Sequence, residues 1–162
     1  MIRCSKVRTP EGTKVKWLCR PRVTFGTLIL LAGISVSPCA IALAESSVWD
    51  GVYSSAQAKR GQVLYSKACA SCHREELEGH GTTPSLAGPE FRDRWDGQTL
   101  RDLFEKTQAT MPADHPGSLS RQDIAAILAF ILQSNEMPAG EKDLRTESDW
   151  LAKIRFQAAK SN

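Results

Sequence analysis

Two cysteines separated by two residues and followed at once by a histidine, Cys69-Ala70-Ser71-Cys72-His73, constrain this chain more than any other feature. The pattern C-x-x-C-H is the signature of covalent haem attachment. Each thiol adds across one vinyl group, and two intervening residues set the sulfurs far enough apart to reach both vinyls. The next side chain then brings an imidazole beneath the iron, and a neutral imidazole nitrogen suits iron well. The expectation is one covalent haem c on Cys69 and Cys72, with His73 as the proximal iron ligand.

Three other readings of the same residues weigh less. A structural zinc site needs four ligands, yet the remaining cysteines (Cys4, Cys19, Cys39) fall in the first 44 residues, and His80 and His115 are scattered. A thioredoxin-like redox pair expects a βαβ pattern, which is missing. A plain disulfide across two residues would be strained, although an exported protein could form one.

Export is what the N-terminus suggests. Seven Lys/Arg residues precede residue 23, against the single acid Glu11, and residues 23–36 are uncharged and mostly apolar. Small residues follow, closing on Ala42-Leu43-Ala44. Charged, apolar and small-residue regions in that order read as a signal peptide over residues 1–44. The rival is a retained membrane anchor, because residues 23–44 carry no charge over a spanning length. Gly26, Gly33, Ser35, Ser37 and Pro38 dilute that run and favour cleavage. Either way the remainder is exported, to the periplasm or anchored facing it. Removing the N-terminal charges also changes the overall balance. Of 21 basic and 18 acidic residues, 14 and 17 remain in 45–162, so the formal charge of +3 becomes −3. A basic footprint for nucleic acid is absent.

The exported part reads as helices and loops. Ser54 with Gln57 forms a capping box, after which Ala58, Gly61, Leu64, Tyr65 and Ala68 recur at helical spacing. Gly61 on that face marks either the close approach of another helix or the end of a shorter one. Pro89 suits the first turn of a short helix bearing Phe91 and Trp95. Thr99 with Asp102 caps another, with Leu100, Leu103, Phe104 and Thr107 on its buried side. Ser120 with Asp123 caps the strongest, whose stripe is Ile124, Ile127, Leu128 and Ile131. No segment alternates with period two for long enough to make a strand. The fold class is all-α: about four short helices around one haem, which supplies the apolar centre so small a domain lacks.

With Gly61, Leu64, Tyr65, the C-x-x-C-H run, Leu77-x-Gly79, Pro84-x-Leu86, a tryptophan, Met111-Pro112 and a capped last helix in this order, the chain resembles class I bacterial cytochromes c over residues 54–135. Residues 45–53 are then a lead-in and 136–162 a C-terminal extension. The stretch from Met111 to Gly140 is similar to cytochrome domains that accompany quinoprotein dehydrogenases. The resemblance implies Met111 as the distal iron ligand, with Met137, His80 and His115 as rivals, His115 the most serious. It implies that the Pro84 carbonyl accepts a hydrogen bond from the His73 ring, that Leu86 packs on the haem and that Trp95 reaches a propionate. Core packing is the other reading of Trp95. Gly61 and Tyr65 would cross the last helix near Ile127 and Phe130.

Two axial ligands leave the iron no open position. The expected function is therefore one-electron transfer rather than catalysis, between a dehydrogenase (quinoprotein-type) and a downstream cytochrome or oxidase. The partners are redox proteins, with no nucleic acid, and no membrane unless the leader is retained. A haem enzyme or a gas or peroxide sensor with a labile distal ligand is the alternative. A haem-free module built on a Cys69–Cys72 disulfide is the third. In the extension, Ser148 is expected to cap a short helix bearing Trp150, Leu151, Ile154 and Phe156, with ordinary packing the favoured role.

Overall fold

The computed structural model describes residues 3–8, 15–20 and 45–160. The chain falls into two compact units. In the first, β1 (Arg3–Arg8) and β2 (Val15–Arg20) pair antiparallel, from Arg3 opposite Arg20 to Arg8 opposite Val15. Residues 23–36 and Ala42-Leu43-Ala44, on which the export reading rests, lie outside the described residues. Among the described residues no helix is long and apolar enough to cross a membrane.

The second unit begins with β3 (Ser46–Ser47) and continues into α1 (Ser55–Ala68). Ser54 starts α1 as an N-cap, its Oγ accepting the Gln57 N–H at 3.0 Å. The expected capping box is only half present. Instead of reaching back, the Gln57 amide donates from Nε2 to the Leu144 carbonyl at 3.1 Å and accepts the Leu144 N–H at 2.6 Å. The N–H and carbonyl of Leu144 are buried, and buried backbone groups left without partners are costly. One turn of helix follows, α2 (Ala70–His73), and then a loop to α3 (Gly88–Trp95), with Pro89 in its first turn.

Helix α4 (Leu100–Thr110) opens on a complete Thr99–Asp102 capping box and stops at Met111, because a residue before proline avoids the helical region. Helix α5 (Arg121–Ser134) is capped by Ser120, whose Oγ accepts the Asp123 N–H at 3.1 Å. The extension then gives α6 (Ser148–Leu151) and β4 (Ile154–Arg155), which lies parallel to β3.

The all-α class is the class of this unit. Its two strands are two residues each, too short to show alternation. Neither β1 nor β2 alternates in sequence: Cys4 and Val7 stand three apart, and Trp17, Leu18 and Cys19 run together.

The core lies where α1 crosses α5. At Gly61 a Cβ would stand 1.8 Å from the Ala126 carbonyl oxygen, so only glycine lets the backbones approach this far. One turn on, the Tyr65 and Phe130 rings pack with centroids 5.2 Å apart. Instead of one apolar stripe, α5 buries every residue from 124 to 132. The extension adds to the same core: Leu144, Leu151, Ile154 and Phe156 are all buried in it.

The expected helix from Ser148 through Phe156 therefore needs correction. Glu147 is the N-cap, and Ser148 is the first helical residue, its hydroxyl bonded to Glu105 Oε1 at 2.7 Å. The chain leaves helix after one turn because extended backbone finds partners there: Val48 N–H to the Arg155 carbonyl at 3.0 Å, and Phe156 N–H to the Gln98 carbonyl at 2.8 Å.

Candidate haem centre

Helix α1 ends at Cys69, whose N–H still bonds the Tyr65 carbonyl at 2.8 Å. The next turn closes on the Cys69 carbonyl, which accepts from Cys72 N–H at 3.1 Å and His73 N–H at 2.9 Å. A single helical turn thus carries both thiols and the imidazole. The thiols are free, Cys69 half-buried and Cys72 exposed, so the haem-free disulfide reading finds no bond here. Burial pushes the Cys69 thiol up to about 11. Among the described residues no three His, Cys, Asp or Glu side chains group as a metal site.

His73 is 7% exposed, and its Nδ1 lies 3.0 Å from the Pro84 carbonyl oxygen. A carbonyl can only accept, so Nδ1 carries the proton and Nε2 keeps a lone pair. That lone pair is what an iron ligand requires, and the hydrogen bond fixes the ring that offers it. Two free thiols and one oriented imidazole in a single turn fit a covalently held haem.

The loop after His73 is shaped to present the Pro84 carbonyl. Gly79, at φ +70°, donates its N–H to the His73 carbonyl at 3.0 Å. A Cβ there would lie 2.4 Å from the Thr83 oxygen and 2.8 Å from the Pro84 oxygen. Gly79→Ala is therefore expected to displace the Pro84 carbonyl and weaken its bond to His73. The check is the His73 ring N–H in the haem-loaded protein, which should exchange faster than in the parent; loss of such a supporting partner typically costs a metal site about tenfold or more in affinity. Unchanged exchange would mean that the loop absorbs the methyl group elsewhere.

Leu86 is half-buried, its N–H bonded to the Leu77 carbonyl at 2.8 Å. Trp95 is also half-buried, on α3, its ring 6.4 Å from that of Phe91. Met111 caps α4 and is partly exposed. The structure thus joins His73 directly to Pro84 and holds Leu86 on the same loop, while Trp95 and Met111 stand on other elements. Of the rival ligands, Met137 is in the core at 2% exposed, its carbonyl accepting from the Tyr53 hydroxyl at 2.6 Å. His80 is exposed, and so is His115, beside Asp114.

Two supporting side chains escape a reading of periodicity. The buried Tyr65 hydroxyl donates to the Arg74 carbonyl at 2.7 Å, holding the residue after His73 at φ +66°. Burial, with the nearby Cys69 and Glu75, raises the Tyr65 pKa and keeps this donor protonated. Asn135, wholly buried, bonds the Leu86 carbonyl, the Ile131 carbonyl and the Gly88 N–H. Helical spacing marks Tyr65 as packing and Asn135 as a helix end. Only their tertiary partners give them these further roles.

Residues 56–131 match the family described as cytochrome c oxidase, cbb3-type, subunit III. The chain is 24% identical over 98 residues to cytochrome c-554(547) of Halothiobacillus neapolitanus, covering 60% of this chain and 97% of that protein. It is also similar to the solved sulfane dehydrogenase SoxCD from Paracoccus pantotrophus, with 25% identity and a TM-score of 0.45 over 78% of this chain and 68% of the other.

Proposed function

We propose that the chain carries a class I c-type cytochrome domain with one covalently attached haem c and works in the periplasm as a one-electron carrier rather than as an enzyme. The observation that carries the reading is the buried His73 ring, held through Nδ1 on Pro84 with Nε2 free to ligate. The haem, when bound, supplies a one-electron Fe(III)/Fe(II) couple. Cys69 and Cys72 would hold it through thioether bonds, and His73 would ligate the iron. Met111 would be the second iron ligand, and its soft thioether would favour the reduced iron and raise the potential. Leu86 would pack on the haem and Trp95 would reach a propionate. The N-terminal order of basic, apolar and small residues supports export. The donor is a dehydrogenase, of the quinoprotein type by sequence resemblance, and the acceptor is a downstream cytochrome or oxidase. Such redox encounters are brief and bury little surface.

The test is optical. The oxidised protein should show the weak sulfur-to-iron charge-transfer band, and Met111→Ala should abolish it and lower the reduction potential. A spectrum untouched by Met111→Ala would overturn this ligand. It would favour instead an open or labile distal site, as in a sensor or peroxide-binding enzyme.

A further inference from the structure

Asn135 stands at the C-terminal end of α5, where a helix end usually faces water, yet it is 0% exposed. Its amide is fully used. Nδ2 donates to the Leu86 carbonyl at 2.9 Å and to the Ile131 carbonyl at 2.8 Å, while Oδ1 accepts the Gly88 N–H at 3.1 Å. One side chain therefore grips the loop on both sides of Ala87 and ties it to the last turn of α5.

The loop so gripped is the one that orients the proximal ligand. Pro84 lies two residues before Leu86, and its carbonyl is the acceptor of His73 Nδ1. The other fastenings of this loop lie on its far side or within it: Leu86 N–H to the Leu77 carbonyl, and the Ser85 hydroxyl to the Leu77 and Ala87 carbonyls. Those bonds tie the loop to the residues that follow His73. Asn135 ties it to the helix that crosses α1 at Gly61.

We propose that Asn135 is a positioning residue for the iron's proximal ligand, its amide fixing the 86–88 backbone and through it the Pro84 carbonyl that orients His73. The proposal rests on His73 as ligand and does not depend on which side chain fills the distal position. A well-placed acceptor on Nδ1–H makes the imidazole a stronger donor to the iron and so stabilises Fe(III). Loosening the loop weakens that bond and favours Fe(II).

The experiment compares the haem-loaded full chain with Asn135→Leu, which keeps the branching and the number of heavy atoms but has no polar atoms to bond. Ser120→Ala, which removes the cap at the opposite end of α5, serves as the control. Asn135→Leu should make the His73 Nδ1–H exchange about tenfold faster or more, and at a fixed poise raise the ratio of reduced to oxidised protein about threefold or more. Ser120→Ala should lower the unfolding midpoint and leave both readouts unchanged. Asn135→Leu lowering the midpoint alone would overturn the proposal and leave Asn135 a helix cap. Should that variant not assemble, exchange in the unaltered protein decides. Gly88 N–H and His73 Nδ1–H should open in one event with the same denaturant dependence. A ring proton that exchanges independently of Gly88 would overturn the proposal. If the unaltered protein shows no iron-shifted His73 ring proton at all, it is the ligand assignment that fails, not the role of Asn135 alone.

Discussion

Phe156→Ala is expected to destabilise the haem-loaded protein by about 3–5 kcal/mol, the range for truncating a large buried aromatic. Phe156 belongs to the extension, and a substitution on an exposed surface ordinarily changes stability by less than about 0.5 kcal/mol. Its surroundings decide otherwise. The ring is 0% exposed and meets Phe91 edge to face, centroids 5.7 Å apart and planes at 82°. Its N–H bonds the Gln98 carbonyl at 2.8 Å, and its carbonyl accepts the Gly97 N–H at 2.9 Å. Since Phe91 also packs on Trp95, a cavity at Phe156 loosens the helix that carries a proposed haem contact. Total stability of a domain is about 5–15 kcal/mol, so this single change removes a large share. The measurement is the urea midpoint at unchanged slope, with Val63→Ala, on a side chain 56% exposed, as the reference. A loss for Phe156→Ala no larger than that for Val63→Ala would show that the extension is dispensable to the core.

The contrast between Phe156 and Ser120 shows what local sequence can and cannot reveal. Caps at Ser54, Thr99 and Ser120 were readable because a cap is a bond between residues three apart, and the structure has a side-chain cap at each. The C-x-x-C-H turn was readable for the same reason, since its spacing is itself the chemistry. Helical spacing found the apolar face of α5 but could not foresee that the opposite face is covered too. Leu144, Leu151, Ile154 and Phe156 of the extension join that same core from segments too short to show a period. Gln57 is the clearest case: its capping-box position suggested a bond to Ser54, and a backbone segment 87 residues away took the amide instead. Asn135 is similar, read as the place where a helix runs out and found holding a loop 49 residues earlier. Side chains that serve distant backbone leave no periodic trace.

Gly61→Ala sets two effects of opposite sign against each other, and the structure says which prevails. In a helix interior alanine is favoured over glycine by about 1 kcal/mol, so propensity alone predicts a stabilised protein. Against that, the added Cβ would lie 1.8 Å from the Ala126 oxygen and 2.4 Å from the Ala126 carbonyl carbon. Both are backbone atoms in the middle of a buried helix and have no rotamer by which to move aside. Relief requires α1 and α5 to separate or slide, which opens the Tyr65–Phe130 contact one turn further on. Overpacking of this kind costs about 1–3 kcal/mol where side chains can yield, and more where backbone must move. The expected net result is a loss of at least ~2 kcal/mol, read from the unfolding midpoint of the haem-loaded protein. Because α1 ends at Cys69, the displacement is carried directly into the turn that holds both thiols and His73. The yield of covalently attached haem should therefore fall along with stability. A variant as stable as the parent, or more so, would mean that the two helices do not cross at Gly61.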